Sequence, residues 1–113
     1  MKPGRTCIAV GFLLSFMMPP VLDASENATA AADGKTILQE RCGRCHSIGK
    51  VGPSPLRHAP PMRDIYRRYA IEQLEFELSE GVGSRHRDMP QIQFSSEQIR
   101  KILEYLHNIA GTN

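Results

Sequence analysis

Two cysteines two residues apart, followed at once by a histidine, stand at Cys42-Gly43-Arg44-Cys45-His46. Residues three apart share one face of a helical turn, so both thiols can reach the two vinyl groups along one porphyrin edge. The next residue, His46, then lies beneath the metal and can offer an imidazole nitrogen to iron. This spacing reads as an attachment site for a c-type haem. Two other chemistries use Cys-x-x-Cys. A thiol–disulfide redox centre wants a surrounding strand–helix–strand pattern, which the chain lacks. A zinc site wants a second close Cys/His pair. His58, His86 and His107 are scattered singly and form none.

The amino terminus has its own signature. Lys2 and Arg5 precede an apolar run from Ile8 to Met18, which Pro19-Pro20 closes, and small residues follow. That is the pattern of a secretory signal peptide. The apolar run is short for a bilayer span, which leaves an uncleaved anchor as the runner-up. Residues 1–24 are expected to be removed after Leu22-Asp23-Ala24, with Ala28-Thr29-Ala30 as the alternative cleavage point. Residues 25–32 then form a flexible leader and residues 33–113 one domain. Cys7 leaves with the signal, so Cys42 and Cys45 remain and no structural disulfide is available. Export of a chain with this motif points to a bacterial periplasm. Formal net charge is +2, falling to about +1 once Lys2, Arg5 and Asp23 are gone. Neither value suggests a nucleic-acid partner.

A mature chain of about 90 residues without tryptophan has little core of its own. A covalent haem would complete it, so the haem-free protein is expected to fold poorly. The periodicities are helical throughout. Asp33 is a candidate N-cap for a helix over about 34–45, with Ile37, Leu38, Cys42 and Cys45 on its apolar face. The stretch 47–61, with Gly49, Gly52, Pro53, Pro55, Pro60 and Pro61, reads as a loop wrapping the His46 side. The carbonyl of Pro53 or Pro55 could receive the His46 ring N–H; a merely stiffened loop is the plainer alternative. A short helix over 61–69 carries Arg63, Arg67 and Arg68, read as a solvated cationic face, with propionate contacts as the alternative. Helix 71–80 stops at Gly81. Ser95 and Gln98 form a capping box for a last helix to about Ile109, with Ile99, Ile102, Leu103, Leu106 and Ile109 as its stripe.

A six-coordinate iron needs a ligand opposite His46. Met89, restrained by Pro90, leads the candidates: a neutral thioether favours ferrous iron and raises the potential. Met62 and His58 are placed less well, since the one starts the helix and the other lies in the His46-side loop. His86 competes, and an open site or a plain core methionine are the further alternatives.

These residues together resemble class I cytochromes c of the small monohaem bacterial type. The matching segments are Gly34-Lys35, Cys42-x-x-Cys45-His46, Gly52-Pro53, His86-Arg87-Asp88-Met89-Pro90 and Glu104-Tyr105-Leu106. The resemblance covers nearly all of the mature chain. It implies an all-α fold of about four helices wrapped around one covalent haem c, held by Cys42 and Cys45 and ligated by His46 and Met89. It also implies that the first and last helices cross where Gly34 admits Tyr105. The implied activity is one-electron transfer, not catalysis, by a monomer that docks transiently on periplasmic redox proteins and does not insert stably in the membrane after signal cleavage. Arg41, Arg44, Arg85 and Arg87 are candidates for the docking rim. The charge pattern lacks the lysine ring of mitochondrial members, so their acceptor does not carry over. Two other classes remain: a gas or ligand binder with a labile sixth site, and an electron-accepting subunit dedicated to one dehydrogenase. A peroxidase is weaker, because the chain has a single haem motif.

Overall fold

The structure is a computed structural model that describes residues 23–81 and 88–111. Its elements in chain order are α1 (Asp23–Arg41), α2 (Met62–Arg68), α3 (Ile71–Glu80) and α4 (Ser96–Ala110), with no β-strand among the described residues. This is the expected all-α fold. No helix among them is long and apolar enough to cross a membrane.

The core forms where α1 crosses α4. Leu38 of α1 and Ile102 and Leu106 of α4 are fully buried, and Ile99 and Ile109 extend the stripe. Each such side chain contributes roughly 1.5–3 kcal/mol on burial. The capping box is formed: Ser95 Oγ accepts from the Gln98 N–H at 3.3 Å, and Gln98 Oε1 accepts from the Ser95 N–H at 3.0 Å. At its far end α4 stops at Gly111, whose φ of +72° suits glycine. The Arg67 guanidinium caps that end by donating from Nε and Nη2 to the Ala110 carbonyl at 3.0 and 2.6 Å.

Three expectations need correction. First, α1 starts no later than Asp23 and ends at Arg41, so residues 25–32 are helical rather than a flexible leader. Alanine-rich sequence is compatible with either state by composition. Packing decides, since Ala30 is 3% exposed and Ala31 lies against the core. Second, Asp33 is within the helix and caps nothing; its carboxylate pairs with Lys101 Nζ at 2.9 Å and raises the pKa of that ammonium. Third, Gly34 does not meet Tyr105. A Cβ at Gly34 would overlap the Lys101 carbonyl oxygen and lie 2.5 Å from its carbonyl carbon. The close approach is therefore backbone to backbone, one turn earlier on α4. Tyr105 is buried separately, where its hydroxyl donates to the Ile48 carbonyl at 2.7 Å and desolvation raises its pKa.

Candidate haem site

The end of α1 makes the turn that the motif requires. The N–H groups of Cys42 and Gly43 both reach the Leu38 carbonyl, at 2.8 and 2.9 Å, which closes the helix. The N–H groups of Cys45 and His46 then return to the Cys42 carbonyl, at 3.1 and 2.9 Å. The motif is thus a single hydrogen-bonded turn appended to α1, not a continuation of the helix to Cys45. Both thiols are free and half-buried. Burial pushes the Cys42 thiol up to about 11, against the pull of Arg41. Reactive redox thiols are lowered instead, so this environment disfavours a thiol–disulfide centre. Among the described residues no three His, Cys, Asp or Glu side chains converge as a metal cluster.

The loop after His46 folds back beneath the ring. The Leu56 N–H donates to the Cys45 carbonyl at 3.0 Å, and the Met62 N–H to the Ser47 carbonyl at 2.9 Å. These two bonds bring the end of the loop to its beginning. His46 is buried, and its Nδ1 lies 2.7 Å from the Pro60 carbonyl oxygen. A carbonyl only accepts, so Nδ1 carries the proton and Nε2 is the nitrogen available to a metal. The partner is Pro60, in place of the expected Pro53 or Pro55, both of which are exposed. Position explains the change. Pro60 directly precedes the residue that caps α2, where the returning chain is already pinned to Ser47.

Cys42, Cys45, His46 and Met89 all line one cavity of about 1290 Å³. It exceeds the roughly 300–1,000 Å³ of ordinary ligand pockets. Met62 and Ile65 of α2, Leu74 and Leu78 of α3, and Ile92 and Phe94 before α4 supply apolar wall. Arg41, Arg44 and Arg68 also border it, with Glu77 and Asp88. A large, flat, mostly apolar group with charged edges suits such a lining, and two thiols and an imidazole nitrogen meet it on one side. The residues present therefore fit a haem bound through two thioethers. His58 borders the same space but is exposed, and Met62 is buried in its wall. His86, Arg85 and Arg87 lie outside the described residues.

A match to a known protein family agrees with this geometry. Residues 29–106 match the family model described as cytochrome c oxidase, cbb3-type, subunit III, a c-type cytochrome domain. The chain belongs to this family. It is accordingly a c-type cytochrome and carries covalently bound haem c with iron. No curated protein and no solved structure gives a match.

Sequence reasoning missed Pro60 and Arg63 in this cytochrome. Pro60 is one proline among several, and nothing in composition separates it from Pro53. Arg63 is far from a solvated cation: its side chain is 14% exposed and bonded to the loop. Arg67 is likewise engaged, at the end of α4, and makes no contact with the cavity. Among the three arginines of α2, Arg68 alone borders it.

Proposed function

We propose that this cytochrome is an exported, single-haem electron carrier whose iron is held between His46 and Met89. Bound haem supplies a one-electron ferric/ferrous couple. The protein's part is to fix the ligands, exclude water and leave an edge accessible. The observation that carries the reading is the common cavity: Met89 borders the same space as Cys42, Cys45 and His46. Methionine opposite histidine raises the potential and closes the iron to small molecules. Docking is expected to be transient, through an interface below about 1,200 Å².

The absorption spectrum tests this directly. A low-spin spectrum with the methionine–iron charge-transfer band, unchanged by carbon monoxide, is the expected result. A high-spin spectrum or ready carbon monoxide binding would bring the ligand-binding reading forward. Met89→Ala is expected to remove the band, admit carbon monoxide and shift the redox equilibrium at least tenfold toward ferric, about 59 mV for one electron. Titration of the variant against redox dyes measures that shift.

The family is named for an oxidase subunit, which supports a second reading: stable membership of a redox complex. Co-purification with an enzyme at constant stoichiometry would favour it over free diffusion.

Export is proposed with cleavage after Ala24. Cutting after Ala30 would remove a residue that α1 buries and leave Asp33 near a new charged terminus. The intact mass of the secreted protein is expected to begin at Ser25. A start at Ala31 would overturn the site, and a start at Met1 would overturn export.

A further inference from the structure

We propose that Arg63 is a positioning residue for His46, acting by clasping the loop that carries the imidazole's hydrogen-bond acceptor. The proposal rests on His46 being an iron ligand. Arg63 sits in the first turn of α2, three residues after Pro60. Its Nη1 donates to Ser47 Oγ at 3.3 Å and to the Gly49 carbonyl at 3.1 Å, and its Nη2 donates to the Gly52 carbonyl at 2.8 Å. Among the described residues its contact with a carboxylate is a long one, 4.0 Å to Asp64 Oδ1. A largely buried guanidinium with three loop acceptors spans the gap between both ends of the loop. One end is Ser47, directly after His46. The other is α2, directly after Pro60. The first half of the stretch between contains Gly49 and Gly52, the latter at φ +92°, and has little stiffness of its own, whereas Pro53, Pro55 and Pro60 stiffen the second half. The fork therefore holds the two ends in the register that sets the 2.7 Å contact between His46 Nδ1 and the Pro60 carbonyl.

The consequence is electronic as well as mechanical. A strong bond from Nδ1–H makes the imidazole a more basic ligand, which favours ferric iron. Loosening that bond favours ferrous iron. Losing the arginine's positive charge does the opposite, because it favours the more positive oxidised state. Arg63→Lys separates the two effects: the charge stays and the planar fork is lost.

The test uses the haem-loaded protein. In Arg63→Lys the redox equilibrium is expected to move about threefold toward ferrous, on the order of 30 mV at about 59 mV per decade. The His46 Nδ1 proton, followed by NMR, is expected to exchange about tenfold faster. Ser47→Ala removes one acceptor with little risk to folding and is expected to move both readouts the same way by less. Wild-type potential and exchange in both variants, even with a lower melting temperature, would reduce Arg63 to a structural role and overturn the proposal. A wild-type spectrum without histidine ligation would overturn the ligand assignment as well, and that outcome is read before any variant is made.

Discussion

Replacing Cys42 and Cys45 together by serine will leave a chain that does not melt cooperatively. The reason is the cavity. About 1290 Å³ lies between α1, α2, α3 and the segment before α4. At about 24 cal/mol per Å³ of void, even a quarter of that volume left dry costs about 8 kcal/mol. That matches the whole stability of a small domain, roughly 5–15 kcal/mol. Filling the space with water is no remedy, because Met62, Leu74, Leu78 and Phe94 line it and would lose their apolar cover. Helices α2 and α3 are most exposed to this loss. Among the described residues α1 and α4 share the most extensive helix–helix seam, whereas α2 and α3 touch α4 less, so residual helix is expected in α1 and α4. Circular dichroism of the purified double variant should show partial helix and a broad thermal transition. A sharp transition near the wild-type temperature would disprove the claim that the haem completes the core.

Gly34→Val is expected to be the most damaging single substitution away from the haem. The added carbons would collide with the Lys101 carbonyl, which is backbone within a helix and cannot turn aside as a side chain can. Relief requires α1 and α4 to separate along the line that buries Leu38, Ile102 and Leu106. Overpacking typically costs about 1–3 kcal/mol, and a collision with helical backbone belongs at the upper end or beyond. For a domain of this size, about 3 kcal/mol lowers the melting temperature by roughly 12–24 °C. Thermal melts of the haem-loaded variant check this. Gly34→Ala should show the same effect at smaller size, because it adds the first clashing carbon alone. Lys101→Ala should be mild by comparison. It removes the exposed pairs with Asp33 and Glu97 but leaves the carbonyl in place.

Local chemistry made several features legible in advance. Ser95 with Gln98 announced the start of α4, because its first N–H groups need local acceptors, and Gly81 and Gly111 announced the ends of α3 and α4, because glycine alone takes a positive φ without strain. The apolar stripe of α4 followed from its spacing. Cys42, Cys45 and His46 of the candidate site could be nominated because the thiols and the histidine are neighbours in sequence. Met89 could be nominated from its chemistry and the proline after it. The helical state of residues 25–32 was not read from the sequence, because short, small-residue segments beside a cleavage-site pattern also suit a leader, and it is the burial of Ala30 that marks this one as packed.

What the sequence by itself determined about this cytochrome is therefore the Cys-x-x-Cys-His motif as candidate attachment point, the helical class and the ends of the later helices, all set by residues close together in the chain. The tertiary structure alone decided that Pro60 accepts the His46 proton, that Arg63 clasps the loop, and that Gly34 faces the Lys101 carbonyl. Each of these joins positions more than ten residues apart. Sequence spacing ranks such partners poorly, because a loop of 47–61 can return its carbonyls along many paths. The path is chosen only when α2 docks, and the docking energy comes from the shared core.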